Sequence, residues 1–497
     1  MTFTWPRSTT IVVVSLILGL SAAVRLYQLS GPVIWHDEGF SVMLSAMPPG
    51  QILFHTARDV HPPLYYLLLH YWMMAFGDGV VAVRSMSVLA GVAMVGVGML
   101  VARQVASIRG ALLAGLLLAL FPFAVRFSQE TRMYALLSLL MLGATLMLMA
   151  WLREPSRLRS LMGYTILTVA GLYTHYFTVF AVLAGWLCMA CVRDAQGKSF
   201  LMNRYWWIAN AMMLLMFSPW LPILYGQLSN TQAIAWIPEV TLSTIPLAFW
   251  RFFFEPEAGG TGDGVAILFS MLLLVSSIAV VLVAKSVTRQ TILLFVCCYF
   301  PIFGVWMASY WKPLFMERYL LFAAAGLPIL LAMALDQLIR HMRACGILLT
   351  LTSALAEASG LTHVYQHQNA LEQVVDQLAS RWQPGDLVIV DGLFWYYSVA
   401  YYSQQRFTPL IYREGMSGDS SGMTLQSRGA ATLLYPYAQQ LYVARPETLA
   451  VNSGRVWWVA GPGPNHIGQL PRYWQTVDEI RSEDNEAILF DVPPHRP

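Results

Sequence analysis

Most of this chain is written in apolar runs long enough to cross a lipid bilayer, and no other feature constrains its fold so tightly. A helix needs about 20 apolar residues to span the hydrocarbon core. Runs of that kind recur from near 11–29 to near 344–360. Lipid offers the backbone no hydrogen-bond partners, so such runs must form helices whose polar groups pair internally. Charge usage agrees. Only 11% of the 497 residues are Asp, Glu, Lys or Arg, and 57% are hydrophobic. A soluble domain carries about 25% charged residues. The net charge of +3 gives no reason to expect nucleic acid as a partner.

Hydropathy predicts about eleven spans. They lie near 11–29, 80–102, 110–127, 133–152, 161–175, 177–192, 206–226, 264–284, 291–309, 319–339 and 344–360. The first run follows Arg7 and contains small residues, Ala22 and Ala23, that resemble a signal-peptide cleavage site. Its length and the many spans after it favour an uncleaved helix, with Arg25 snorkelling to the interface. The five cysteines sit in or beside apolar runs. That setting offers nothing to favour a thiolate, so no redox or metal role is assigned to them.

Basic residues set the expected orientation. With the N-terminus inside, Arg103, Arg109, Arg153, Arg157, Arg159, Arg193, Lys198, Arg204, Lys285, Arg289, Arg340 and Arg343 all fall in short inner loops, as the positive-inside rule requires. Three long stretches then lie outside: about 30–79, about 227–263, and the tail. The turn at Thr174-His175-Tyr176 faces the same side. The expected domains are a membrane bundle over 1–360 and an extracytoplasmic domain over 361–497.

The tail differs in kind. Leu371, Val374, Val375, Leu378 and Trp382 have helical spacing. Gln383-Pro384-Gly385-Asp386 reads as a turn before a buried strand at Leu387–Val390. Val456–Ala460 and Ala487–Val492 read as further strands, the first closed by Gly461-Pro462-Gly463-Pro464. Mixed signals of this sort predict a small α/β domain.

Charged residues concentrate in the outer segments. Trp35-His36-Asp37-Glu38-Gly39 follows the first span closely and places two adjacent carboxylates at a membrane surface, where charge is costly to keep. In Arg58-Asp59-Val60-His61-Pro62-Pro63-Leu64-Tyr65-Tyr66, the prolines set an extended lead into a helix. Asp59 and His61 there suit either a divalent metal or a polar substrate, and a simple helix cap explains them equally well. Arg126-Phe127-Ser128-Gln129-Glu130-Thr131-Arg132-Met133-Tyr134 and Tyr310-Trp311-Lys312-Pro313-Leu314-Phe315-Met316-Glu317-Arg318-Tyr319 put further charges on the same side. Arginines outside run against the positive-inside trend. A bound phosphate, which guanidinium can grip with two parallel bonds, accounts for them, and so does anchoring to lipid headgroups.

At these motifs the sequence resembles the bacterial membrane glycosyltransferases of the GT-C fold, of the protein O-mannosyltransferase-like type (glycosyltransferase family 39), with the lipid A aminoarabinose transferases as relatives. The matching pieces are Trp35-His36-Asp37-Glu38, Asp59 through Tyr66, Ser128 through Tyr134, and Glu317-Arg318-Tyr319-Leu320. Their order and spacing cover about the first 340 residues, and the combination is what makes the resemblance specific.

The resemblance implies a polytopic α-helical membrane protein of GT-C type in a bacterial inner membrane. It implies Asp37 as catalytic base beside Glu38, and Arg132 and Arg318, joined by Lys312, on the phosphate of a polyprenyl-phosphate sugar. Asp59, His61, Gln129, Glu130, His175 and Tyr319 complete the candidate substrate-binding set. The chain departs from the pattern at His61, where relatives often have Lys. A divalent metal is a candidate cofactor, with Asp37, Asp59 and His61 as candidate ligands. The implied reaction moves a sugar to a protein, lipid or glycan acceptor with inversion. A lipid-linked-sugar flippase is the alternative, although transporters usually hold their polar residues at the bilayer midplane.

Overall fold

The structure, a computed structural model, describes residues 7–194, 196–228, 236–254, 263–283, 288–366, 370–412, 429–435, 437–443, 454–461, 470 and 473–492. The N-terminal part is helical. In order come α1 (Arg7–Leu26), α2 (His36–Ser45), α3 (Pro49–Thr56), α4 (Leu64–Phe76), α5 (Val80–Val105), α6 (Ile108–Leu120), α7 (Pro122–Ser128), α8 (Tyr134–Arg153) and α9 (Leu158–Leu172). There follow α10 (Thr178–Cys191), α11 (Arg204–Phe217), α12 (Leu221–Leu228), α13 (Thr244–Phe254), α14 (Asp263–Val283), α15 (Arg289–Ala308), α16 (Leu321–Ala324), α17 (Gly326–His341) and α18 (Arg343–Gln366).

A helix stands at each of the eleven expected spans. Among the described residues eight are long and apolar enough to cross a membrane, or nine if α6 and α7, bent by 57°, make one span. The difference from eleven lies in α9 and α10, which are 15 and 14 residues long and fall short of the roughly 20 a straight crossing needs. The second outer stretch also holds a helix of its own, α13.

Proline explains the bend between α6 and α7. Pro122 has no N–H to offer the carbonyl four residues back, so the helix stops and leaves Leu118 and Ala119 with unpaired oxygens. Arg25 supplies the missing donors, with Nη2 3.3 Å from Leu118 O and Nη1 3.0 Å from Ala119 O. It also reaches Ser21 Oγ at 2.8 Å and Ser128 Oγ at 3.2 Å. Arg25 is fully buried, so it does not snorkel as its position near the end of the run suggested. Those carbonyls give it a better partner than the interface does. At the opposite end of α6, buried Asp336 of α17 holds Arg109 at 2.7 Å, Arg340 at 2.8 Å and Ser107 Oγ at 2.9 Å. All five cysteines are free thiols.

The chain divides into two compact units. One comprises residues 1–29, 61–65 and 82–366. The other gathers 30–60 and 66–81 with everything from residue 367 onward. In the second unit α19 (Leu371–Arg381) precedes β1 (Leu387–Val390), α20 (Leu393–Tyr402), β2 (Leu410–Tyr412), β3 (Tyr442–Val443), β4 (Arg455–Ala460), β5 (Gln475–Arg481) and β6 (Glu486–Asp491). The strands form one sheet in the order β3-β2-β1-β4-β6-β5. The pairs β3-β2, β2-β1 and β1-β4 are parallel, and β4-β6 and β6-β5 are antiparallel. Alternation sends Ile389, Val456, Trp458, Ile488 and Phe490 into one core with Tyr412 and Trp474.

The small α/β domain is thus present, and the strands expected at Leu387–Val390, Val456–Ala460 and Ala487–Val492 are β1, β4 and β6. Of the turn after β4, Pro462-Gly463-Pro464 lies outside the described residues. Asp386 closes the β1 end of the sheet. Its carboxylate takes Arg455 Nε at 2.9 Å, Trp457 Nε1 at 3.2 Å and the Gln383 amide at 3.0 Å.

Candidate active site

Within the second unit, Asp37 and Glu38 occupy the first turn of α2. Trp35 caps the helix in extended conformation and accepts the Gly39 amide at 2.9 Å. A helix N-terminus favours negative charge, because its first N–H groups have no intrahelical acceptor. Two carboxylates there are therefore in a favourable field. Glu38 is fully buried and Asp37 is half-buried. Asp37 O accepts Ser41 Oγ at 2.8 Å, which ties the first turn to the second.

Asp59, also buried, follows the end of α3, and its amide donates to His55 O at 3.0 Å. Arg58 lies over the rings of Phe54 and Tyr435, 5.0 Å from each, and its carbonyl accepts the Gly429 amide at 2.9 Å. His55 Nδ1 is 3.1 Å from Thr432 Oγ1. Burial pushes the His55 imidazole below its usual range against the raising effect of Thr432, and Arg58 pushes it down further.

Within the first unit, three expected motifs and the link between α9 and α10 meet around His175. The His175 ring lies 5.0 Å from Tyr319, 5.8 Å from His61 and 6.4 Å from Tyr134, centroid to centroid. The Arg132 guanidinium sits 5.8 Å from the Tyr134 ring. That of Arg318 sits 5.5 Å from Tyr319 and 5.3 Å from Trp236. Arg132 is 3% exposed and His175 4%.

Burial holds the His175 imidazole well below its usual range, and His61, Arg132 and Arg318 each press it lower. The hydrogen bonding agrees. The Phe177 amide donates to His175 Nδ1 at 3.1 Å, so Nδ1 accepts and the ring proton sits on Nε2. A neutral histidine beside two arginines makes a positively charged cluster with one further N–H. Such a cluster suits an anion.

Other expected site residues make their described contacts elsewhere in the same unit. Gln129 gives its amide to Arg25 O at 3.1 Å and Tyr27 O at 2.8 Å, and so caps the end of α1. Glu130 faces Arg126 at 3.7 Å. Lys312 Nζ bonds Leu228 O at 3.2 Å, and Glu317 pairs with Arg251 at 2.5 Å. Among the described residues no three His, Cys, Asp or Glu side chains come together as a metal-binding group. The sequence gives Trp236 no distinguishing signal, because a lone tryptophan in a long outer segment is a common interfacial anchor. Tyr134 belongs to the Ser128–Tyr134 motif, and the motif alone assigns it no role. Its signal was its place two residues after Arg132.

Residues 60–223 match the family model for dolichyl-phosphate-mannose-protein mannosyltransferase. No curated protein sequence matches significantly. Among solved structures, the apo form of ArnT from Cupriavidus metallidurans superposes with a TM-score of 0.65 at 14% identity, covering 97% of this chain and 98% of ArnT. The form bound to undecaprenyl phosphate gives 0.61 at 14% identity, over 96% and 97% of the two chains. The apo oligosaccharyltransferase of Archaeoglobus fulgidus gives 0.55 at 12% identity, over 92% of this chain and 70% of that one. At such identities a shared shape speaks for the fold, and here it runs through bundle and tail alike. The chain is therefore a membrane protein of the GT-C fold, similar to ArnT along almost its whole length, with a segment that matches the mannosyltransferase family within it.

Proposed function

We propose that this protein is a glycosyltransferase that moves a sugar from a polyprenyl-phosphate donor to an acceptor hydroxyl or amine on the outer side of a bacterial inner membrane. The observation that carries the reading is the cluster of buried Arg132 and His175 with half-buried Arg318, which suits a phosphate. The family match and the likeness to a structure holding undecaprenyl phosphate support the same class of donor.

In the reaction the acceptor oxygen or nitrogen attacks the anomeric carbon, and the bond from that carbon to the phosphate oxygen breaks. Asp37 takes the acceptor's proton, and the bonding electrons leave with the lipid phosphate. A positioned base contributes about 10²–10⁴ in rate. Fixed cations stabilise the charge that develops on the leaving group. One displacement inverts the anomeric centre. Glu38, buried beside Asp37, adds a second negative charge next to the base. The basic short loops support an orientation with the N-terminus in the cytoplasm and the tail outside.

The test uses purified full-length protein with a panel of undecaprenyl-phosphate pentoses and hexoses radiolabelled in the sugar. Release of undecaprenyl phosphate with label passing to an acceptor or to water is the expected result. Movement of intact donor across a vesicle membrane without bond cleavage would overturn the reading in favour of a flippase.

A further inference from the structure

The tail domain is packed against the helix that bears Asp37, and the contact is close enough to set where that helix stands. Gly392, with φ +87°, turns the chain from β1 into α20. Only glycine takes that conformation without strain. At α2, a Cβ added to Gly39 would lie 2.9 Å from the carbonyl carbon, the oxygen and the Cβ of Tyr397 in α20. Backbone meets backbone there, with no flexible side chain to give way. Phe40 meets Tyr397 edge to face at 5.6 Å. The segment leading into α2 is tied as well, since the Ile34 amide donates to Tyr402 Oη at 2.8 Å.

His36 is the most informative contact. Its Nδ1 lies 3.1 Å from Leu393 O at the start of α20. A carbonyl only accepts, so Nδ1 carries the proton. The ring also stacks on Phe394 at 5.8 Å with 13° between planes, and tilts against Tyr397 at 5.2 Å. Successive helix positions are about 100° apart. Residues 36, 39 and 40 therefore share one face, and that face is against α20. Asp37, about 100° on from His36, stands beside that face.

We infer that His36 is a positioning residue, and that α20 of the tail domain holds the Asp37 carboxylate in register through His36 and the Gly39–Tyr397 contact. The inference rests on the reading of Asp37 as the base. A misplacement of about 1 Å in a reacting group can cost about a hundredfold. Removing the clamp should therefore act on turnover and spare the lipid-phosphate site.

The test uses full-length His36→Ala, His36→Asn, Gly39→Ala and Asp37→Asn. Turnover is measured with the radiolabelled undecaprenyl-phosphate sugar that the wild type consumes, and binding with undecaprenyl phosphate alone. His36→Ala and Gly39→Ala should lose about tenfold to a hundredfold in kcat. Undecaprenyl phosphate binding should stay within about twofold. Asn keeps an N–H where Nδ1 stood, so His36→Asn should recover most of the loss.

If Gly39→Ala fails to fold, the two His36 variants decide. Wild-type kcat in His36→Ala, alongside an inactive Asp37→Asn, would overturn the positioning inference and leave the base assignment standing. A fall in lipid-phosphate binding that matches the fall in kcat would overturn it too. Wild-type turnover in Asp37→Asn would instead sink the reading beneath it.

Discussion

Replacing Arg132 or Arg318 with alanine tests the anion-binding cluster, and the structure sets the size of the effect. A hydrogen bond to a charged group is worth about 1.5–3 kcal/mol. At about 1.4 kcal/mol per decade, losing one lowers kcat/KM by roughly 10- to 150-fold. Arg132 is almost fully buried, so its loss belongs at the upper end. Arg318 is half-buried and partly screened, so its loss belongs at the lower end. Folding should survive, because the guanidinium–ring contacts with Tyr134, Tyr319 and Trp236 are worth about 0.5–1 kcal/mol each where exposed and about 2 kcal/mol where desolvated, as for Arg132. Lysine restores the charge without the planar fork and should recover part of the loss. The assay is label transfer from the undecaprenyl-phosphate sugar at matched protein levels. Alanine variants both within about twofold of wild type would refute the cluster as a phosphate site.

The buried, neutral His175 makes stability depend on pH. Its folded pKa is depressed, so below about pH 6.5 the unfolded chain binds a proton that the folded chain resists, and stability falls as pH falls. The slope is at most about 1.4 kcal/mol per pH unit for each such group. His55 is depressed in the same direction, so His175→Phe should reduce the acid-side slope of the thermal midpoint without abolishing it; an unchanged slope contradicts the assignment. Asp336→Ala strips Arg109 and Arg340 of their shared carboxylate and should cost about 1–3 kcal/mol. That loss reads as a lower thermal midpoint with kcat/KM unchanged, and a wild-type midpoint would contradict it. A reporter fused after Pro497 should be active only outside the cytoplasmic membrane, and activity inside would reverse the orientation.

The helical bundle was legible because lipid forces apolar runs into helices, and each expected span holds one. Span length was less legible. α9 and α10 are joined by the residues that carry His175, and continuous hydropathy masks how short each helix is. Arg25 was misread because its partners, Leu118 O and Ala119 O, lie some ninety residues away and are exposed only by the Pro122 bend. Gln129 sat in a charged motif yet bonds the end of α1, a role that spacing cannot reveal. In the tail, β1, β4 and β6 are buried apolar strands and read clearly. β2 and β3 have three and two residues, too short for any periodicity. β5 is a mostly exposed edge strand of polar sequence, Gln475–Arg481. The motifs for Asp37, Arg132 and Arg318 stood out as charge beside membrane spans. The packing of α20 on α2 joins residues more than 350 positions apart, and no local pattern announces it.

The central claim is that Asp37 takes a proton from the acceptor, and Asp37→Asn tests it most directly. The substitution preserves size and shape and removes the proton acceptor. A purely structural aspartate in the first turn of α2 would lose only its favourable interaction with the helix dipole, about 0.3–1 kcal/mol, so asparagine would replace it at little cost. The measurement is single-turnover transfer from the radiolabelled undecaprenyl-phosphate sugar, with undecaprenyl phosphate binding measured on the same preparation. The account predicts a loss of about a hundredfold or more with binding retained, the scale of general-base catalysis. Transfer at the wild-type rate would contradict it.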